Sequence, residues 1–265
     1  MLNVDETSVG YTMKPRLGNV VAPAVAKVSK QDRRGAWTYL SLICNSTDVQ
    51  GKLPHYLIGS KTRLTRKLLR AQKALPPTRL KIIAQKSAWT SAANLVQLLR
   101  DIGEVLKLYP GKQGILLLDC APSHLPKEVM QAAKRQKVQL VYIPAQCTDV
   151  LQPLDICAFA GFKAFLRARH EGLKATSQHG LVNPLAWIWE LMQCPREFFA
   201  QKAWRSSFAA VGCTNPPDPQ VLHRELRELM DFPVSFPEGV KPTREEVQCL
   251  WPERRRMVYA YKALF

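Results

Sequence analysis

Residues 115–124 read Ile-Leu-Leu-Leu-Asp-Cys-Ala-Pro-Ser-His, and this stretch decides the fold class. Its four leading apolar residues, 115–118, predict a central strand that is covered on both faces. A helix is predicted to begin at Pro126, and residues 138–143 predict the strand that follows it. Two strands joined through one helix form a right-handed crossover with parallel strands, which indicates an α/β sheet.

Antiparallel strands are expected before this unit. Residues 37–44 are rich in aromatic and branched side chains and predict one strand, and residues 55–58 predict its hairpin partner. Residues 1–5 predict only a very short strand. The sequence therefore predicts a sheet that mixes antiparallel and parallel pairs and is flanked by helices.

Helices are predicted both within and beyond this sheet. From Thr90 or Ser91, either of which could act as the cap, apolar residues recur at helical spacing until Pro110. Beyond Arg169 the chain changes to helices with polar links, expected at residues 184–192, 196–211 and 219–230. Several aromatic side chains there fall at helical spacing and are expected to lie in the core: Trp187, Trp189, Phe198, Phe199, Trp204 and Phe208.

Composition narrows the class of protein. The chain has 265 residues, 46% of them apolar, and a formal net charge of +17, which favours a polyanionic partner such as nucleic acid over a protein that is simply basic. Its seven cysteines include no Cys-x-x-Cys pair, which argues for reduced intracellular thiols and against a zinc ribbon. No secretion signal and no run of roughly 18 apolar residues is present, so we expect a protein that is neither secreted nor membrane-spanning.

Residues 50–100 contain no Asp or Glu. A charge run is usually a solvated surface, but a stretch of one sign that is this long repels itself unless a partner neutralises it. Contact with DNA phosphates is therefore favoured for its basic residues, and the predicted DNA-binding set is Lys61, Arg63, Arg66, Lys67, Arg70, Lys73, Arg79, Lys81 and Lys86.

Three aspartates stand in distinctive local settings: Asp5, Asp119 and Asp155. Asp119 follows a parallel strand, at the sheet edge where ligands gather, and Asp5 is expected at a neighbouring strand end. Asp155 follows Pro153, which suits the first turn of a helix. Each one alone could be an ordinary turn or capping residue. Together on one sheet edge they could hold two divalent metal ions and support phosphodiester cleavage.

The motifs around these acids resemble the DDE-superfamily endonuclease core of pogo-like and mariner-like transposases. The resembling residues are 5–7, then 117–119 with 121–124, and then Thr148 with 151–155. The resemblance implies a ribonuclease-H-like fold, two Mg²⁺ or Mn²⁺ ions, DNA nicking, and attack of the freed 3′-hydroxyl on target DNA. By position, the resemblance implies that the metal ligands are Asp5, Asp119 and Asp155. It implies that the supporting groups are His124 and Gln152. A polar turn residue remains the alternative role for His124.

We therefore expect residues 1–170 to be a DDE-type catalytic core that is truncated at its N-terminus, and residues 171–265 to be a smaller helical C-terminal extension. The expected function is metal-dependent DNA endonuclease and strand transfer in the nucleus, with DNA as partner and a homodimer on DNA as an expected assembly. The alternative is a catalytically inactive, transposase-derived DNA-binding or interaction module. Cys120, where the family usually has Asn, favours that alternative. A fragment of a longer reading frame is the third interpretation.

Overall fold

The computed structural model of the chain describes residues 1–10, 36–144, 147–177 and 181–213. Strands in these ranges form a six-stranded mixed sheet in the order β4-β3-β2-β1-β5-β6. The strands are β1 Leu2–Gly10, β2 Ala36–Cys44, β3 His55–Ser60, β4 Leu80–Gln85, β5 Gly114–Leu118 and β6 Val138–Tyr142.

Strand directions confirm the predicted fold class. The β1, β2 and β3 strands pair antiparallel in sequence order, whereas β5 pairs parallel with both β1 and β6. An antiparallel meander that continues from β1 into parallel strands is the ribonuclease-H-like arrangement. The β4 strand, which was not predicted, extends this sheet by pairing parallel with β3.

The α-helices of the described ranges lie on both faces of the sheet. They are α1 Thr47–Gln50, α2 Arg66–Lys73, α3 Ala92–Leu106, α4 Lys127–Arg135, α5 Thr148–Leu151, α6 Phe159–Ala175, α7 Pro184–Cys194 and α8 Arg205–Ala209. Two π-helical segments, Leu154–Ala158 and Pro195–Phe199, precede α6 and follow α7. Within these ranges, no helix has both the length and the apolar character needed to cross a bilayer.

The first strand corrects the sequence prediction. It spans nine residues, and Asp5 lies in its middle, opposite Ser41 of β2, instead of at a strand end. The strand is longer than predicted because its pairing with β2 continues to Gly10. Its pairing with β5, in contrast, involves only Leu2 and Asn3. A prediction based on alternating apolar residues missed the full length of this strand because polar residues follow Val4.

The helix predicted over residues 196–211 is wrong in its extent. The chain forms the π-helical segment Pro195–Phe199, leaves helical geometry, and resumes as α8 at Arg205. The Trp204 indole N–H donates to the Phe199 carbonyl at 2.8 Å, which gives a helix-end carbonyl a partner outside the helix. The helix predicted over 219–230 lies outside the described residues.

Two apolar cores, one on each face of the sheet, hold the fold together. One core packs α3 and α4 against residues such as Leu2 and Val4, and the other packs α6 and α7 against residues such as Val9 and Tyr39. This division follows from the alternation of side chains along each strand. The predicted core aromatics are confirmed, since Trp189 is partly buried and the others are buried in the second core: Trp187, Phe198, Phe199, Trp204 and Phe208.

The predicted division at residue 170 stays a prediction. Helix α6 runs from Phe159 to Ala175 and so passes through that position. Trp187 of α7 lies in the same core as Tyr39 of β2, and its indole N–H donates to the Gly10 carbonyl of β1 at 3.2 Å. The first helix of the expected extension is thus packed directly on the sheet.

Candidate active site

Asp5 and Asp119 are neighbours across the parallel β1/β5 pair. Asn3 is in register with Leu117, and each aspartate lies two positions beyond its member of that pair. Because alternate residues of a strand share a face, Asp5 points to the same face of the sheet as Asn3. The site begins where β5 ends and β1 continues.

Asp155 reaches this edge through hydrogen bonds that join its segment to β1. The side-chain oxygen of Asn3 accepts from the Leu154 N–H at 2.9 Å, while its amide nitrogen donates to the Leu117 carbonyl at 3.1 Å. The Gln152 amide also donates to the Val4 carbonyl at 3.3 Å. Asn3 is fully buried, so these bonds fix the start of the π-helical segment beside the strand that carries Asp5.

The carboxyl groups of Asp5 and Asp155 interact electrostatically. Burial raises the pKa of Asp5, the negative charge of Asp155 raises it further, and the result is a pKa of about 8. The Glu6 N–H, which donates to Asp5 Oδ1 at 2.7 Å, and the Gln152 side chain oppose this rise only in part. A proton or a cation would relieve the repulsion between the two carboxylates.

Asp119 is held by His124 instead. Its Oδ1 lies 2.6 Å from His124 Nδ1 and accepts from the Ala121 N–H at 3.2 Å, while His124 Nε2 lies 3.5 Å from a Glu6 carboxylate oxygen. Burial opposes a charge on His124, but hydrogen bonds and charges from Asp119 and Glu6 outweigh it and raise the His124 pKa to about 10. Burial also acts to raise the pKa of Asp119, but the His124 interaction outweighs it and lowers that pKa.

The predicted site residues therefore form two adjoining groups. Asp5, Asp155 and Gln152 make one, and Asp119 and His124 make the other, with Glu6 as an additional member. Within the described ranges no three His, Cys, Asp or Glu side chains lie close enough together to hold one ion. That three carboxylates converge on metal ions stays a prediction.

A sequence model described as DDE superfamily endonuclease matches residues 36–191, more than half of the chain. The chain belongs to the DDE superfamily endonuclease family. Asp119 and Asp155 lie inside the matched range, and Asp5 precedes it.

Relatives of this DDE-family chain include transposable-element proteins. A human protein named "Pogo transposable element with ZNF domain" is 33% identical over 57 residues, which is 22% of this chain and 4% of that protein. Two Mos1 transposase structures, a paired-end complex with the left transposon end and a mariner paired-end complex with Mn, share 17% and 15% identity. Each has a TM-score of 0.38 over 78% of this chain and 55% of the other. The chain thus spans about half the length of those structures.

Two residues of this DDE-family site were not anticipated from the sequence, Asn3 and Glu6. Asn3 could have been found as a polar residue within an apolar strand end, since a buried amide needs partners. Strand alternation places Glu6 on the opposite face from Asp5, so no sequence pattern indicated that Glu6 joins the site. Its contact with His124 became visible only in the folded structure. The Cys120 thiol donates to the Ile143 carbonyl at 3.2 Å, so it is directed towards the end of β6.

The predicted DNA-binding residues are exposed but differ in position. Lys61, Arg63 and Lys86 follow β3 and β4, where the strand register places Ile58 and Ile83 level with Ser8 of β1, so these basic residues lie about six positions or more beyond Asp5 along the strand direction. A second group of exposed basic residues lies on helix α2. Arg79 and Lys81 stand at the start of β4, where Lys81 forms a 2.6 Å ion pair with Asp101. The exposed group on α2 consists of Arg66, Lys67, Arg70 and Lys73.

Proposed function

We propose that the chain acts on DNA phosphodiester bonds as a metal-dependent endonuclease and strand transferase of the transposase type. One observation supports this most strongly: two mutually repelling carboxylates, Asp5 and Asp155, adjoin Asp119 at one edge of the sheet. Lys61 and Lys86 are exposed at the ends of β3 and β4 of the same sheet, and these cations favour a polyanionic substrate. We propose DNA as the partner, a homodimer as the assembly and the nucleus as the place of action.

The donor atoms at this edge fit Mg²⁺ or Mn²⁺. The three aspartates offer carboxylate oxygens, which such hard cations prefer, and a cation would offset both the burial and the Asp155 charge that raise the pKa of Asp5. The buried Gln152 Oε1 has no hydrogen-bond partner among the described residues and can serve as a further oxygen donor. We propose that Asp5, Asp119 and Asp155 hold two ions. When bound, the ions activate a water and stabilise the leaving oxygen.

Other side chains prepare the site. His124 holds the Asp119 carboxylate in one orientation, and the Tyr142 hydroxyl donates to the His124 carbonyl at 3.0 Å, which fixes the turn that carries the imidazole. Asn3 and Gln152 hold the Asp155 segment against β1. Basic side chains at the ends of β3 and β4 bind phosphates and so position the DNA without reading its sequence.

A nicking assay tests the proposal. Supercoiled plasmid incubated with the full chain and Mn²⁺ is expected to become nicked, and Asp119→Ala is expected to lower the rate at least about a hundredfold because a metal ligand is lost. Asp48→Asn is the matched control, since Asp48 is exposed in α1, away from the site, and its removal should leave nicking unchanged. Equal nicking by the wild type and Asp119→Ala would contradict the proposal.

The second candidate is a non-catalytic DNA-binding module that keeps the fold. It is favoured by the engagement of Asp119 with His124 and by the absence, within the described ranges, of three side chains grouped for one ion. Calorimetric titration with Mn²⁺ separates the two functions. Binding that disappears in Asp5→Asn and Asp155→Asn supports the nuclease, whereas DNA binding with no Mn²⁺ binding in the wild type supports the module.

A further inference from the structure

Trp89 has the most exposed large apolar side chain of the described residues, at 82% exposure. A tryptophan can remove roughly 150–250 Å² from water when it is covered, so an uncovered indole is unfavourable unless it has a partner. The other tryptophans with described burial, Trp37, Trp187, Trp189 and Trp204, are buried or partly buried.

The backbone on both sides of Trp89 is fixed. Gln85, the last residue of β4, donates its side-chain N–H to the Trp89 carbonyl at 2.6 Å. Two residues later, Ser91 caps α3 through reciprocal bonds with Asn94. The loop therefore presents the indole from two anchored ends, which limits its freedom to fold back onto the protein surface.

Trp89 lies beyond the carboxyl end of β4, next to the loop that follows β3. The β4 strand runs parallel to β3 and thus to β1, and the Lys61 N–H donates to the Gln85 carbonyl at 2.8 Å, so the loops after β3 and β4 are adjacent. Three strand spacings, or roughly 15 Å, separate β4 from β1, and the end of β4 also lies five positions, or roughly 17 Å, beyond the level of Asp5 along the strands. Trp89 is therefore roughly 20 Å or more from Asp5, which is a separation of several nucleotides of DNA.

The surroundings of Trp89 indicate the chemistry of its partner. Lys61, Arg63 and Lys86 are exposed on these two loops, and no acidic residue occurs between residues 50 and 100. An aromatic ring beside cations is the combination that binds single-stranded nucleic acid, since the cations contact phosphates and the ring stacks on a base. An apolar protein partner would instead need further exposed apolar residues, and the neighbouring Ser87 and Lys86 are polar.

We propose that Trp89 stacks on an unpaired nucleobase of a DNA strand that is bound by the basic loops after β3 and β4. The proposal rests on the DNA contact of the proposed function and adds a substrate feature to it, namely a locally unpaired strand. It requires no metal ion, because stacking and phosphate contact occur before any bond is broken.

The test is binding of a single-stranded oligonucleotide that contains 2-aminopurine, measured with the full chain in EDTA. Wild type is expected to bind it and change its fluorescence on stacking. Trp89→Ala is expected to weaken binding roughly tenfold and abolish the fluorescence change, while Trp89→Phe keeps most of both. Leu108→Ala is the matched control, because Leu108 is also exposed, at 61%, but follows α3 far along the chain from the Trp89 loop.

Three results would overturn the proposal: unchanged single-strand affinity in Trp89→Ala, an equal loss in Leu108→Ala, or an equal loss of affinity for a fully paired duplex. A change of elution volume in Trp89→Ala without a change in single-strand affinity would assign the indole to a contact between copies and also overturn it. Failure of Asp119→Ala to affect nicking would reject the proposed catalysis but leave this metal-free binding result standing, so the two failures are distinguishable.

Discussion

Asp5 couples the chemistry of the site to the stability of the fold. The residue is 8% exposed, and its pKa of about 8 lies far above the ordinary value of 3.8. Burial is the first cause and the charge of Asp155 the second. A carboxyl group whose pKa is raised on folding binds a proton more tightly in the folded chain, so its ionisation destabilises the fold.

The stability of the metal-free chain is therefore expected to fall as pH rises. The Asp5 contribution is fully present below pH 3.8 and is lost as pH rises towards about 8. Between pH 5 and pH 8 we expect the free energy of unfolding of wild type to fall by about 3–4 kcal/mol more than that of Asp5→Asn in urea unfolding with EDTA. The raised pKa of His124 also makes stability fall above pH 6.5, but that contribution is common to both proteins.

The same measurement with Mn²⁺ provides the control. At pH 8 the ion should restore the stability of wild type and have little effect on Asp5→Asn, because the ion replaces the proton at the paired carboxylates. Parallel pH profiles for the two proteins would show that Asp5 ionises freely and would contradict the coupling.

Among the elements, β1 is the one that assembles the site. It pairs with β2 along its whole length and with β5 at its start, and through Asn3 it holds the π-helical segment Leu154–Ala158. Three distant parts of the chain are thereby fixed relative to one strand. The position of Asp155 depends on these bonds more than on any property of its own helix.

Asn3→Ala should therefore lower nicking by the folded protein as well as stability. The substitution leaves the Leu154 N–H and the Leu117 carbonyl without their side-chain partner, which should lower the free energy of unfolding by about 2–4 kcal/mol. It also releases the Asp155 segment from β1. Nicking by the folded protein should fall at least about tenfold. Asn183→Ala is the control, since it removes the cap of α7 at about 1 kcal/mol and should leave nicking unchanged. Similar nicking by the two variants after correction for folded fraction would reject the role of Asn3.

The sequence revealed most elements because their apolar periods are local. The β2, β3, β5 and β6 strands and the helix from Ser91 lie within a few residues of their predicted positions. The length of β1 was hidden, since its polar residues are stabilised by backbone pairing with β2. The sequence could mark Asn3 as an amide in need of partners but could not identify those partners, because they lie 114 and 151 residues away in sequence and only the folded sheet brings them together.

At the scale of the whole molecule, positive charge and carboxylates occupy different parts of one surface. The carboxylates lie at β1, β5 and the segment after α5, whereas α2 presents basic residues with no buried side chain. With a net charge of +17, the basic surface would attract a polyanion to the molecule, whereas the carboxylates alone would repel it.

Duplex DNA affinity is expected to decrease steeply with salt. Lys67→Gln with Arg70→Gln should lower the magnitude of the slope of log K against log salt by roughly 1 to 2, because each lost phosphate contact contributes about 0.9. The matched pair is Lys134→Gln with Arg135→Gln, which removes the same charges from the last turn of α4 and should change the slope less. A flat salt response in wild type, or equal slopes for both pairs, would show that α2 does not dock DNA.

The hydrogen bond from the Trp187 indole to the Gly10 carbonyl has a consequence for how such chains can be recombined. It joins the far end of the strand that carries Asp5 to the first helix of the predicted extension, across 177 positions of sequence. A chimera made by exchanging residues 1–170 alone would place a foreign strand beneath Trp187 and cut through α6. Functional grafts between relatives should therefore carry the sheet and α7 as one unit.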